Sequence, residues 1–351
     1  MATWYVDPAA TGGGTGVDWT NAYTTLNACI TAKYTGALSE AMTINCRTSG
    51  ANPADEAGVT IDGGYATASY PLTIQCAQVS RPVGKWDATK YRLSVAAGYG
   101  CVVKVMDSYV NLIGIQAINT SVNGRQCFYS TVGLSNYIGC IAGGQQTTLG
   151  IDVSAGFLQD ADITATNYIN CIATGCASAG FSCSSGDCRF YNCVAVGNTG
   201  VGFGLITWKT MVATNCYSGG NTGVDFNTAE SNRTFTLTNC ASQDSLPTFT
   251  TQVAYTLAGT TGTQFTNITA GTENIHIAAA SQLVNIGTDL SSTFTTIMGN
   301  TYDIDGITRP TGANTWDVGC HEYQAAAPTG HPTMARWNGI PGMKYTGRKG
   351  W

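Results

Sequence analysis

Charge is scarce in this chain: Asp, Glu, Lys and Arg together make up 11% of its 351 residues, and the net charge is -5. No run of like charge precedes the C-terminal stretch, so the body lacks the basic face that nucleic acid requires. Histidine occurs three times, at His276, His321 and His331, and nothing nominates a Ser-His-Asp arrangement. The fourteen cysteines include no C-x2-C pair, which removes the usual zinc spacings. No stretch approaches the ~20 apolar residues of a membrane span. The opening residues Met1 to Asp7 carry neither the charged n-region nor the apolar h-region of a secretory leader. The expectation is a chain made in the cytoplasm, its thiols reduced, with no membrane partner and no cofactor or metal.

What the chain has instead is a beat. Asn-Cys recurs at Asn170-Cys171, Asn192-Cys193, Asn215-Cys216 and Asn239-Cys240, in steps of 22, 23 and 24 residues. Phe181, Phe203 and Phe226 keep the same step, and Gly-Asn-Thr-Gly-Val appears at 197–201 and again at 220–224. A fixed period of this size marks a solenoid. Each unit reads as short β-favouring runs between Gly, Ser, Asn and Thr turns, with no helical pattern. Leucine-rich repeats lack the right Leu spacing, and propeller blades need roughly 40 residues or more. A parallel β-helix remains, with coils about 4.8 Å apart. Equivalent residues then form ladders: amides bonded to one another at the turns, and Cys, Ile and Phe inside. The ladder cysteines read as buried free thiols, and steps of five such as Cys183 to Cys188 read as opposite strand faces.

The register extends towards the N-terminus. Gly114-Ile115 and Gly139-Cys140 take the Asn-Cys place, and Thr43-Ile44-Asn45-Cys46 and Thr73-Ile74-Gln75-Cys76 are earlier turns 30 residues apart. A step of 31 between 139 and 170 implies a loop near Gln145 to Leu149, with Phe128 and Ile151 continuing the Phe ladder. At the N-terminus, Trp19, Ala22, Tyr23, Leu26, Cys29 and Ile30 fall at helical spacing behind Asp18, predicting an amphipathic helix that plugs the first coil. Gly12-Gly13-Gly14-Thr15-Gly16 lacks the Lys-Ser/Thr of a phosphate loop.

Tyr5-Val6-Asp7-Pro8 with Trp19 to Leu26, and Ser281 to Thr288 with Asp303 to Pro310 and Asp317 to Tyr323, resemble the opening and closing segments of right-handed parallel β-helix proteins of the pectate-lyase-like group. The resemblance covers roughly residues 3–323 and is greatest to bacteriophage and bacterial surface members. It implies an all-β, right-handed, single-stranded parallel β-helix with an N-terminal helical cap and an extended C-terminal tail. The expected division is 1–36, strand and capping helix; 37–323, β-helix with closing segment; and 324–351, a basic and aromatic arm. Enzymatic members imply clustered acidic calcium ligands or paired carboxylates. The chain offers only Asp160 and Asp162, whose places one coil later are Ser182 and Ser184. Asp187, Arg189, Lys209 and Asp225 read as isolated, solvated charges. Asp303 and Asp305, in Asp-x-Asp-Gly, read as a turn held by Asp side chains rather than a calcium loop.

The period stops before 327–351. That stretch holds Arg336, Trp337, Met343, Lys344, Tyr345, Arg348, Lys349 and Trp351 without an acidic residue, the composition of an interface anchor. The expected function is therefore a non-enzymatic structural virion protein of a bacteriophage, a capsid decoration or spike-like appendage. It would form a homotrimer by resemblance and dock onto the capsid or another virion protein through these arm residues. The alternative is a polysaccharide lyase or hydrolase, or a carbohydrate-binding surface protein, that presents the β-helix face to a surface glycan.

Overall fold

A computed structural model describes residues 1–51, 53–76, 81–96, 100–121, 124–143, 155–160, 165–205, 210–228, 234–244, 250–256, 261–268, 273–312 and 315–324. The chain winds as a parallel β-helix with three rows of strands. The first row runs from Ala2–Val6 through Thr166–Ile169, Cys188–Tyr191 and Thr210–Thr214 to Thr234–Ser242. The second runs from Arg92–Val95 through Ile172–Thr174 and Val194–Val196 to Tyr217–Gly219, meeting the first row in Thr234–Ser242. The third forms its own seven-stranded sheet, from Val59–Ile61 through Ala155–Asp160 and Ala179–Ser185 to Phe226–Thr228. Neighbours in every row pair in parallel, with Met42 opposite Leu72, Tyr168 opposite Phe190 and Phe181 opposite Phe203.

The Asn-Cys corner has a backbone cause. Asn170, Asn192, Asn215 and Asn239 sit at φ of 52°, 52°, 54° and 48°, and Gly114 and Gly139 hold the same corner at 67° and 58°. Only Gly and, among L-residues, Asn and Asp enter this left-handed region readily, which is why Gly replaces Asn in the earlier coils. The following cysteine points inward: Cys140, Cys171, Cys193, Cys216 and Cys240 are free and fully buried. Their sulfurs donate to carbonyls, as Cys193 Sγ does to Tyr168 O at 3.3 Å. Burial pushes the Cys76 thiol up to about 12, so such a group is a small apolar filler rather than a nucleophile.

Two ring stacks fill the interior. Phe128, Phe157, Phe181, Phe203 and Phe226 lie with centroids 4.7, 4.8, 4.8 and 5.0 Å apart, and Tyr137, Tyr168 and Phe190 follow at 4.9 Å each. Phe157 is the rung after Phe128; Ile151, and the expected loop at Gln145 to Leu149, lie outside the described residues.

The corner amides do not chiefly bond one another. Asn170 Nδ2 donates to Tyr302 O, Asn239 Nδ2 to Ile286 O, Asn215 Nδ2 to Thr288 O, and Asn192 Nδ2 to Asp317 O and Gly319 O. Within the corner row, only Asn215 to Asn192, at 3.3 Å, is an amide-to-amide bond. The amides instead fasten a strap, residues 283–323, along the flank of the coils. Beneath it the outward side chains Ile141, Ile172, Val194 and Tyr217 pack with Phe265, Ile275, Leu283 and Val318. A true amide ladder runs inside the first-row strands, Asn167 to Asn136 at 2.8 Å and Asn136 to Asn111 at 2.7 Å.

Two further expectations are corrected. Helix α1 spans Leu26–Lys33 rather than starting at Asp18. Asp18 Oδ1 accepts from the Asn21 amide, closing a turn, and Thr25 caps the helix by accepting from Ala28 N. Cys183 and Cys188 form a disulfide. Counting five residues as a straight strand put them on opposite faces, but the chain turns between them at Gly186, φ 79°, and both sulfurs point inward.

Candidate functional site

Asp160 ends the third-row strand Ala155–Asp160 and is exposed. Its carboxylate accepts from Ser184 Oγ at 2.7 Å, Ser185 Oγ at 2.8 Å and the Tyr129 hydroxyl at 3.1 Å. These bonds, Ser184 first, hold its carboxyl below the ordinary value, while burial and then the Asp160 charge push Tyr129 up to about 12. An Asp kept ionised by three hydroxyls is suited to binding or to accepting a proton, not to donating one. The register shifts between Gln159 and Asp160, setting Asp160 opposite Ser185. That bulge corrects the expected Ser182 equivalence, because it inserts a residue that step counting assigns to the ladder. Asp162 and Lys209 lie outside the described residues, as do all the arm residues from Arg336 to Trp351.

Asp160 stands in an open groove of about 690 Å³ on the third-row face, lined also by Lys104, Arg125 and Tyr129. Lys104 Nζ lies 5.9 Å from the centre of the Tyr129 ring, within cation–π range. Two cations, one carboxylate and a phenol ring thus share one shallow surface. Asp187 accepts weakly from Thr210 N at 3.4 Å, and Arg189 is exposed. Asp225 is not a solvated charge. It is 1% exposed, and its carboxylate accepts from Asn221 Nδ2, Ser242 Oγ, Gln243 N and Asp244 N at 2.8–3.0 Å. Sequence spacing misses this because the loop that wraps it, 242–244, belongs to the next coil.

A second cluster forms where the strap meets the short antiparallel pair Phe265–Asn267 and Asn274–Ile277. Asp303 holds the Asp-x-Asp-Gly turn as expected, with Oδ1 accepting from Asp305 N at 2.9 Å and Ile307 N at 2.7 Å, and Oδ2 from Glu322 N at 2.9 Å. Its oxygens are thereby used on backbone. Asp305 is left to face two histidines: Oδ2 is 2.6 Å from His276 Nε2 and 3.6 Å from His321 Nε2. Ligand atoms of the three residues all lie within 4.8 Å of one another. Burial, then the neighbouring His276, lowers His321 to about 4. Behind it the buried pair Arg309–Glu322, 2.7 Å apart, ties the strap to itself, with burial pushing Glu322 up to about 7 against the pull of Arg309. A cavity of about 410 Å³, lined by Arg81, Asn170, Tyr302 and Asp305 among others, opens alongside. No sequence signal pairs His276 with His321, because neither lies on the repeat.

Comparison with known proteins adds little to this geometry. The sequence matches no family model. Nor does any curated protein match it. Among solved structures, one described as pectate lyase Pel9A aligns over 92% of this chain and 97% of its own, with 14% sequence identity and a TM-score of 0.43. At that score the match carries no argument, and the assignment of a parallel β-helix stands on the strand registers themselves.

Proposed function

We propose that this chain is a structural protein of a bacteriophage virion, a capsid decoration or spike-like appendage, that assembles as a homotrimer and docks through residues 327–351. The observation that supports this reading is the construction of the shaft. Unbroken stacks of rings and amides run from coil to coil, and a strap is fastened to the corner asparagines along the flank. Such a body is a stiff spacer, because each coil contacts only its neighbours and every ladder position is filled. In this reading the winding is right-handed, as parallel crossovers nearly always are. Helix α1, whose Leu26, Cys29 and Ile30 are buried, covers the first coil, and the aromatic and basic arm is the anchor. Removing 327–351 tests it: the shaft folds, and incorporation into particles is lost. Undiminished incorporation sinks the docking role.

A second reading rests on the third-row groove. Lys104, Arg125 and Tyr129 beside the ionised Asp160 suit an anionic glycan laid across the coils, with cations for its acid groups and a ring for a sugar face. Binding of an acidic polysaccharide that is lost in Lys104→Ala and Arg125→Ala would favour it. Turnover abolished by Asp160→Asn would make the protein an enzyme.

A further inference from the structure

We propose that His276, Asp305 and His321 form a binding site for one divalent first-row ion of the zinc type, held through His276 Nε2, Asp305 Oδ2 and His321 Nε2. Three features point to it. The first is a contact between acceptors. His276 Nδ1 lies against Asn274 Oδ1, and the same oxygen accepts the backbone N–H of His276 at 3.3 Å, which fixes it as the amide oxygen. Nδ1 therefore carries a proton, and in the neutral ring the Nε2 lone pair faces a carboxylate oxygen 2.6 Å away. That contact requires a positive centre, a proton or a metal ion. A partner oxygen on the far ring nitrogen is also what orients metal-bound histidines.

The second feature is spacing. A tetrahedral ion with bonds of about 2.0–2.1 Å sets its ligand atoms about 3.3 Å apart. The two separations from Asp305 Oδ2, 2.6 and 3.6 Å, straddle that value. The third is an orphan: Asp305 Oδ1 is buried without a hydrogen-bond partner among the described residues. Asp305 also lines the 410 Å³ cavity, so an ion there would keep a position open to a water or a small ligand, as three-ligand sites do. Two imidazoles and one carboxylate favour zinc-type ions over calcium or magnesium, which take oxygen ligands.

One hydrogen bond must change. His321 Nδ1 accepts from Ile277 N–H at 3.2 Å in the ion-free protein, so the neutral ring carries its proton on Nε2. Binding removes that proton, Nδ1 gains one from solvent, and the Ile277 N–H loses its acceptor. If His276 starts as the imidazolium, one proton is released to buffer per ion bound.

The test uses the full chain with Cys101→Ser, since Cys101 is the free thiol that is not fully buried, stripped of metal and titrated with Zn²⁺ by calorimetry. One equivalent is expected, weakened at least about tenfold by His276→Gln and by His321→Gln, with no comparable binding of Ca²⁺ or Mg²⁺. Co²⁺ should give an absorption spectrum of nitrogen and oxygen ligation without a thiolate band. Circular dichroism checks that the variants fold. Should they not, the wild-type chain still decides: Zn²⁺ must shift the Ile277 amide resonance and speed its exchange. Absence of stoichiometric binding, binding that survives both histidine variants, or an Ile277 amide indifferent to Zn²⁺ overturns the assignment.

Discussion

Replacing Asn192 separates the two jobs that the corner asparagine does. It is fully buried at φ 52°, gives Nδ2 to Asp317 O and Gly319 O at 3.0 and 2.8 Å, and accepts from Asn215 at 3.3 Å. Asn192→Gly keeps the left-handed backbone and removes the amide. Three hydrogen bonds at about 1 kcal/mol each, one of them long, put the loss near ~2–3 kcal/mol. Asn192→Ala removes the same bonds and adds a Cβ in a region that costs an L-residue roughly 1–2 kcal/mol, for a total of about 3–5 kcal/mol. Gly139→Ala supplies the control. Its φ is 58° and an added Cβ meets only Ile304 Cγ1, at 3.9 Å, so only the backbone cost, roughly 1–2 kcal/mol, remains. Urea unfolding followed by circular dichroism measures all three, and hydrogen exchange locates the loss, since solenoid stability divides among neighbouring coils. Equal stability of the Gly and Ala variants would refute the left-handed corner. A Gly variant as stable as wild type would refute the fastened strap.

Phe181→Ala should cost about 3–5 kcal/mol, because Phe181 is fully buried between two stacked rings at 4.8 Å; Phe226→Ala, at the end of the stack, should cost less, and the reverse order in urea midpoints would contradict the stacking. Denatured, unreduced protein should titrate twelve thiols and not fourteen, given the Cys183–Cys188 bond. Asp55 is 1% exposed and accepts from Leu26 N at 2.7 Å and the Tyr91 hydroxyl at 2.8 Å; Asp55→Ala should cost at least about 2–3 kcal/mol and loosen α1, seen as faster exchange of the Leu26 to Lys33 amides. Asp160 has a folded pKa below its unfolded value, so its stabilisation is complete above the unfolded value, about 3.9, and is lost as pH falls through the folded one. The melting difference between wild type and Asp160→Asn should stay constant from about pH 8 to 5 and shrink in stronger acid; a difference that peaks in acid would reverse the sign.

The coil was legible in the sequence because a ladder demands the same residue type at every turn: the left-handed corner writes Asn or Gly, and the narrow interior beside it writes Cys or Ile. Phe181, Phe203 and Phe226 were legible for the same reason. What failed was anything that leaves the beat. A bulge at Gln159/Asp160 moved the partner of Asp160 from Ser182 to Ser185, and a turn at Gly186 brought Cys183 to Cys188. The strap is aperiodic, so the sequence could not indicate that the corner amides bond to it rather than to one another. His276, Asp305 and His321 meet across 45 residues of that segment, and no local spacing encodes a meeting of that kind.

The account's central claim is a place in a virion. Its most direct test is quantitative mass spectrometry of particles purified from cells that express the chain alongside the phage genes that accompany it. The account predicts the chain in the particles at a fixed, symmetry-related copy number, and its absence when residues 327–351 are deleted. Particles complete without the chain, with the protein left free in the lysate, would contradict it.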